Sequence, residues 1–164
     1  IALSNQLSGM TTASLPALGS AQMPSGSVLQ TVTANTNTAV TTTSSTFSAT
    51  GLTASITPTS TSSKILVSVS QNGLYKDGNN VNGIDIRLVS NGGSAMDIVL
   101  AGRAAGDATG VFSIGSVSGT FLNSPNSTSS ITYSTDFRAV SNTNTAYVQV
   151  YSATSSITLM EIQG

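Results

Sequence analysis

Apolar and polar residues alternate along most of this chain in short segments. Ile65, Val67 and Val69 take every second position of one segment, and Ile131 and Tyr133 share one face of another. A period of two residues places alternate side chains on opposite faces of a β-strand. Such segments recur about every 8–12 residues, with turn residues between them. The pattern predicts an all-β chain, an antiparallel β-sandwich of jelly-roll type with about eight to ten strands.

The clearest predicted pairing of strands lies at residues 51–70. Ala54 and Ile56 alternate with hydroxyl residues, Pro58 removes a backbone donor, and the apolar alternation restarts at Ile65. This order of strand, turn and strand predicts a β-hairpin. A second tight turn is predicted at residues 91–94, Asn-Gly-Gly-Ser.

The first 26 residues differ from the rest, so we predict an N-terminal arm over 1–26 and a β-sandwich domain over 27–164. Pro and Gly keep most of the arm extended, and its first apolar residues fit one short helix. The apolar residues of the arm are Leu3, Leu7, Met10, Leu15, Leu18 and Met23. The arm is either a flexible leader or an anchor that docks on a neighbouring subunit. Because translation begins with Met, Ile1 is expected to be the start of a trimmed or processed chain.

Charged residues make up only 7% of the chain, against about a quarter in an ordinary soluble domain. Ser and Thr account for about a third of it, and these hydroxyl residues favour strands and turns. Disorder is the alternative for this composition. Periodic Ile, Val, Leu and Phe segments continue to the end of the chain, and they argue against disorder.

The same composition disfavours several classes of function. The net charge is −1 and the five basic residues are scattered, whereas a nucleic-acid surface needs a basic patch. No apolar run approaches the roughly 18 residues of a membrane helix, so membrane insertion is not expected. Without His or Cys there is no His-based triad, Cys nucleophile or ordinary zinc site. We therefore expect a protein that is not an enzyme and that binds no cofactor.

Two Asp-x-Arg segments, Asp85 with Arg87 and Asp136 with Arg138, are candidates for a polar site. Their spacing places both charges of each segment on one face of a strand. If the two strands are neighbours, Asp and Arg pair across them; the alternative is a recognition patch for a sugar or a partner. A glycosidase would require two carboxylates held together, and nothing in the pattern brings two together.

Two turn regions, 76–83 and 102–110, are predicted to be exposed recognition loops. Their candidate residues are Lys76, Asp77, Asn79, Asn80, Arg103 and Asp107. The first loop offers oxygen ligands for Ca²⁺, but it fails the EF-hand pattern because Val81 occupies a ligand position. The tyrosines Tyr75, Tyr147 and Tyr151 either stack on glycans or line the core edge or a subunit interface.

Three stretches together resemble a β-rich domain that is common in bacteriophage virion proteins, often at the C-terminal end of tail-fibre chains. They are MPSGSVLQ at 23–30, TGLTASITPTSTSSKILV at 50–67 and ITLMEI at 157–162. Such domains are typically homotrimeric, displayed on the particle surface and non-enzymatic. The resemblance implies a virion surface protein that binds itself, other capsid or tail proteins and a host glycan or receptor.

Two functions stay open within that resemblance. A tail- or head-fibre tip would present its loops to the host, whereas a capsid decoration (cement) protein would clamp several capsid subunits. No long repetitive shaft precedes the domain in this sequence, which favours a compact knob held on the particle by its arm. An extracellular adhesin or filament subunit is the alternative from another class, and a polysaccharide-degrading enzyme is a third.

Overall fold

A computed structural model describes residues 19, 22–77, 83–91, 94–103, 111–141 and 144–164. For residues 94–103 and 111–112 it describes the backbone alone. The described residues form ten strands and a short 3₁₀ helix at Val150–Ser152. The strands are β1 (Val28–Thr36), β2 (Val40–Thr42), β3 (Ser48–Ile56), β4 (Lys64–Asp77), β5 (Gly83–Ser90), β6 (Ser94–Arg103), β7 (Val111–Asn123), β8 (Ile131–Ala139), β9 (Ala146–Val148) and β10 (Ser155–Ile162).

The strands form two antiparallel sheets that pack against each other, which confirms the predicted β-sandwich. Sheet A is built around the long strand β4, with β7 along one side; β10 and β9 lie along the other side, followed by β1 and β2 respectively. Sheet B has the order β3-β8-β5-β6. The predicted turn at 91–94 joins a true hairpin, because Ser90 of β5 pairs with Ser94 of β6. The jelly-roll connection order stays a prediction.

The predicted hairpin at residues 51–70 is wrong, although both of its strands exist. β3 belongs to sheet B and pairs with β8, whereas β4 belongs to sheet A and pairs with β7, β9 and β10. The segment 57–63 therefore crosses from one sheet to the other. Ala54 and Ile56 contact the apolar residues of β4 across the core, as members of one cluster, rather than side by side within a sheet.

The core between the sheets consists of two apolar clusters. The larger cluster lies at the end of the sandwich where the described chain begins and ends, and we call this end the terminal half. Its members are Leu52, Ala54, Ile56, Ile65, Val67, Val69, Leu88, Ile131, Tyr133, Ile157 and Leu159. The smaller cluster defines the opposite end, the tyrosine half. Its members are Leu74, Ile84, Ile86, Phe137, Ala139, Ala146 and Val148.

A buried polar layer lies between the two clusters and links the sheets. The hydroxyls of Thr50 and Thr135 in sheet B lie 2.6 Å apart, and Thr135 donates to Gln71 Oε1 at 2.9 Å. In sheet A, Gln71 Nε2 donates to Ser155 Oγ at 3.0 Å. Each of these four side chains is buried and hydrogen-bonded, so the layer avoids the cost of unsatisfied polar groups in a core.

Glu161 is fully buried near the end of β10, and neutral donors hold its carboxylate. Oε1 accepts from the backbone N–H and the hydroxyl of Thr59 at 2.7 and 2.8 Å, and Oε2 accepts from Nε2 of Gln30 at 2.6 Å. Burial raises the pKa of this carboxyl, but Ser63, Gln30 and Thr59 lower it by more, so the net pKa lies below its ordinary value. The Ser63 hydroxyl contributes although it makes no hydrogen bond of ordinary geometry. These bonds fix the crossing segment 57–63 to the last strand.

Candidate recognition surface: a tyrosine corner

Two tyrosines lie side by side on the outer face of sheet A in the tyrosine half. Tyr75 of β4 pairs with Tyr147 of β9, and both side chains are half-buried. Their neighbours along each strand are buried, so the alternation of a strand directs both rings outward. Ser113 and Thr41 extend this cross-strand row on either side. The tyrosines predicted to be candidates for binding are therefore brought together by the sheet register.

Tyr151 completes the group from the 3₁₀ helix that follows β9. Its side chain is 84% exposed, and its ring meets that of Tyr75 edge to face, with centroids 5.5 Å apart and planes at 82°. We call Tyr75, Tyr147 and Tyr151 the tyrosine corner. Edge-to-face contact is a favourable geometry for aromatic rings, so each ring restricts the other.

The backbone that presents Tyr151 is strained. Gln149, Tyr151 and Ser152 have φ values of 55°, 57° and 60°, in the left-handed region that non-glycine residues seldom occupy. Each such residue costs on the order of 1 kcal/mol. Strained residues of this kind cluster at ligand-binding sites, where the surrounding structure holds them in place.

Gly73 allows the strained loop to lie directly on β4. It has a φ of +63°, and a Cβ added there would lie 2.7 Å from the backbone nitrogen of Val150 and 2.7 Å from Cβ of Ala153. The neighbouring Asn72 binds the loop at both ends: its carbonyl accepts from the backbone N–H of Gln149 at 3.0 Å, and its Nδ2 donates to the Thr154 carbonyl at 2.6 Å. The corner is therefore clamped to the sheet.

The side chain of Gln149 lies beneath this loop and is fully buried. Neither its Nε2 nor its Oε1 makes a hydrogen bond. A buried amide without partners lowers stability, typically by about 1–3 kcal/mol. The tyrosine corner thus carries a second energetic cost in addition to backbone strain.

Chemically, the corner offers aromatic surface bordered by hydroxyls. Tyrosine rings have a partly negative face that attracts C–H groups and cations, and their hydroxyls donate and accept hydrogen bonds. The corner therefore combines an aromatic surface with hydrogen-bonding groups at its border.

The two Asp-x-Arg segments form the predicted cross-strand ladder on the outer face of sheet B. Asp85 pairs in register with Arg138, and Arg87 with Asp136. The salt bridges measure 2.9 and 2.8 Å, and both guanidinium groups lie over the ring of Phe47, 4.6 and 4.4 Å from its centroid. Each charge faces its opposite and each arginine stacks on one ring, so this ladder stabilises the sheet face.

The prediction of exposed loop residues at 76–83 is wrong for Lys76. This residue lies inside β4 and is 0% exposed, because the strand continues to Asp77 and alternation directs Lys76 inward. Asp77 is half-buried, and its Oδ1 accepts a short hydrogen bond from the backbone N–H of Thr145. Asn79, Asn80 and Asp107 lie outside the described residues. Arg103 is the last residue of β6, and its side chain is also outside them.

The predicted anchoring residues of the arm lie almost entirely outside the described part. Leu3, Leu7, Met10, Leu15 and Leu18 are not described, and Met23 is half-buried. The candidate calcium loop lies mostly outside it as well, apart from Asp77 and Gly83. Among the residues that are described, no three His, Cys, Asp or Glu side chains are grouped to hold a metal ion.

An exposed apolar stripe crosses sheet A in the terminal half. Leu66 of β4 pairs with Met160 of β10 on one side and with Leu122 of β7 on the other, and Ile162 pairs with Val28 in the next row. Leu122 is 56% exposed and Val28 is 51% exposed. The adjoining row towards the tyrosine half consists of Thr33, Thr158, Ser68 and Thr120, and at the opposite border Lys64 pairs with Ile162. This apolar stripe is a second candidate surface.

Sequence reasoning did not identify Gly73, Gln149 or Glu161 as important. Gly73 had a usable signal, because a glycine inside a strand pattern indicates a bulge or a close backbone approach. The roles of Gln149 and Glu161 depend on partners about 80 and 100 positions away along the chain, Asn72 and Thr59. No local pattern contains that information.

Neither protein-family models nor curated protein sequences give a match to this chain. Within the described residues, there is also no helix with the length and apolar character required to cross a membrane. The candidate surfaces are therefore interpreted from their geometry.

Proposed function

We propose that this chain is a non-enzymatic structural protein displayed on the surface of a bacteriophage virion, where it acts by binding. The observation that carries the proposal is the tyrosine corner, in which a strained and clamped loop holds an 84% exposed tyrosine against a second ring. A folding domain gains nothing from strain at such a position, so a binding role accounts for it. The resemblance of residues 23–164 to virion β-domains supports the same proposal.

Host attachment is the first candidate role for this surface. The corner lies in the tyrosine half, opposite the end at which the described chain begins, where Gly26 donates to the carbonyl of Gln163. A domain held through its terminal half would present the corner outward. A fibre or spike tip requires this arrangement.

A capsid decoration role is the second candidate, and it shares with the fibre tip a homotrimer for which the apolar stripe is the candidate contact. An exposed apolar patch on a soluble protein commonly marks a contact with another protein. We propose that the stripe packs against sister copies of this chain in a homotrimer. The other virion proteins would then contact the assembled trimer.

The experiment that tests the proposed function is quantitative mass spectrometry of purified particles. A handful of trimers per particle supports the fibre tip, and one copy per few major capsid subunits supports decoration. Absence of the chain from particles contradicts the virion proposal and favours an extracellular adhesin or filament subunit.

The proposed trimer has a separate test. Light scattering coupled to size-exclusion chromatography should give a trimer for the unmodified chain and a monomer for Leu122→Asn. Val140→Asn is the matched control, because Val140 is an exposed apolar residue outside the stripe, at 37% exposure. If Leu122→Asn leaves the trimer intact, the stripe is not the subunit contact.

A further inference from the structure

Tyr75 and Tyr151 meet at 82°, which forms an open right-angled corner on the protein surface. We propose that this corner binds an uncharged sugar ring, a pyranose unit of a glycan. The inference rests on the proposed role in surface display, and it names the class of ligand that the surface recognises.

The chemistry of the corner matches one face of a pyranose. The C–H groups on that face carry partial positive charge, and the faces of tyrosine rings carry partial negative charge. The ring hydroxyls at the edge of the sugar require polar partners. The phenol groups and the hydroxyls of Ser113 and Thr41 in the same cross-strand row provide them.

The corner is preorganised for binding. The Asn72 bonds and the close approach of Gly73 fix the loop, and a tyrosine has only two side-chain torsions to order. Binding a ligand to a surface that is already ordered loses less entropy. The strain at Tyr151 is then the structural requirement for keeping its ring exposed.

The electrostatics next to the corner favour a neutral ligand. Lys76, which follows Tyr75 along β4, is fully buried and so does not reach this face. Asp77 is acidic and would repel an anion, and its Oδ1 accepts a hydrogen bond from the backbone N–H of Thr145. Recognition of phosphate, sulfate or carboxylate depends on Arg or Lys donors. As far as the described side chains are concerned, an uncharged sugar therefore fits the site better than an acidic one.

Binding is best measured by NMR of the full chain with isotope-labelled tyrosine. The chain has four tyrosines, and the fourth, Tyr133, is buried in the core and serves as an internal reference. The probes are chitohexaose, cellohexaose and maltohexaose, followed by an array of printed neutral and acidic glycans. We expect saturable shifts of the Tyr75, Tyr147 and Tyr151 signals with at least one neutral glycan, while the Tyr133 signal stays in place.

Two variants of one residue distinguish stacking from a general effect on folding. Tyr151→Ala should weaken binding about tenfold or more, the size of loss seen when one stacking aromatic is removed from a base-binding site. Tyr151→Phe, which keeps the ring, should stay within about twofold if stacking dominates. Thr158→Ala is the control, since Thr158 lies on the outer face of β10 in the terminal half, outside both the tyrosine corner and the apolar stripe. Thermal unfolding should show all three variants folded.

Three results would overturn the sugar proposal. They are the absence of saturable shifts with any neutral glycan, equal binding by Tyr151→Ala, and tyrosine signals that shift with protein concentration alone, which would indicate contact between copies. None of them affects the copy number in particles. A chain found in virions that binds no neutral glycan therefore refutes this inference and leaves the proposed function standing.

Discussion

The terminal half and the tyrosine half of the sandwich share β3, β4, β5, β7 and β8. They differ in the hydrogen bonding of their largest buried polar side chains and in the strain of their backbone. In the terminal half, the buried carboxylate of Glu161 accepts three hydrogen bonds, and β10 pairs with β4 without a register shift. In the tyrosine half, the buried amide of Gln149 makes none, and Gln149, Tyr151 and Ser152 have left-handed backbone. The left-handed residues of the terminal half, Asn91 and Asn126, are asparagines, which adopt this conformation more readily.

Under the proposed function, this difference separates the part of the domain that stabilises the fold from the part that would bind a ligand. The larger apolar cluster and the satisfied carboxylate lie in the half that carries both ends of the described chain. The unpartnered amide of Gln149 and the strained residues around it lie at the exposed tyrosines, whereas the terminal half holds two single unpartnered atoms, Ser63 Oγ and Gln163 Oε1. Functional sites commonly store such strain, and the rest of the fold compensates for it.

Truncation of the larger cluster should have the largest effect on stability. Leu159→Ala removes a fully buried side chain in the terminal half, so it should lower the free energy of unfolding by about 2–5 kcal/mol. Urea unfolding measures the loss. Thr158→Ala, on the exposed face of the same strand, is the control and should change stability by less than about 0.5 kcal/mol. Equal effects of the two changes would contradict the assignment of the core.

Gly73→Ala should come next, because it drives a side chain into the loop that carries the tyrosines. We expect a loss of about 2–4 kcal/mol from the unfavourable φ and the contact with Val150 backbone. Gly51→Ala is a matched control: Gly51 also has a positive φ, of +85°, but no atom lies within 4 Å of the added Cβ, so only about 1 kcal/mol should be lost. Equal losses would mean that the clamp under the corner contributes nothing.

The free energy of unfolding should depend on pH because of the hydrogen-bonded carboxylate of Glu161. The folded pKa of Glu161 is lowered, so its stabilisation is complete above the unfolded pKa of about 4.5 and disappears as the pH falls through the folded value. Glu161→Gln should cost about 1–2 kcal/mol at pH 7, because an amide donor then faces Gln30.

Urea unfolding of both proteins from pH 7 down to pH 3 tests this prediction. The difference between the unmodified chain and Glu161→Gln should shrink as the pH falls below about 4.5. A difference that stays constant over this range would exclude a role for the ionised carboxylate.

The smallest expected effect is an increase in stability, from a substitution at Gln149. Gln149→Met replaces an unpartnered buried amide with an apolar side chain of similar length, and should stabilise the fold by about 1 kcal/mol. Gln71→Met removes an amide that is hydrogen-bonded at both ends, and should destabilise by about 1–3 kcal/mol. Thermal unfolding compares the pair. A loss of stability in both variants would remove the contrast between the two halves.

Local alternation was sufficient to predict the fold class and most of the strands, although β2 lies in a stretch that the composition assigns to a loop. The spacing of charges also predicted that Asp and Arg would pair across the two strands if these were neighbours, and the adjacency of β5 and β8, which the sequence did not reveal, meets that condition. The pairing of β3 with β4 was wrong because a turn of seven residues with Pro58 is long enough to join two sheets. Sequence alternation is identical for a hairpin and for such a crossing.

Burial of polar side chains was the second feature that the sequence could not reveal. Thr50, Thr135 and Gln71 resemble the many exposed hydroxyl and amide residues around them, yet they form the buried layer. Lys76 was assigned to a turn because it precedes Asp77 and Gly78, whereas the bulge at Gly73 lengthens β4 and turns Lys76 inward. Such outcomes depend on contacts between distant segments.

The position of β10 has a consequence for how the chain folds. The last strand lies between β1, the first, and β4, so sheet A contains a gap until residues 155–162 have been synthesised. Until then, the backbone N–H and C=O groups along one edge of β1 and of β4 are unpaired and can pair with other chains. Closing this gap joins β10 to β1, whose paired residues are more than a hundred positions away, and contacts of this range slow folding. Pairing of β10 therefore completes sheet A. Removal of the last residues of β10 should leave the chain prone to aggregation as well as less stable.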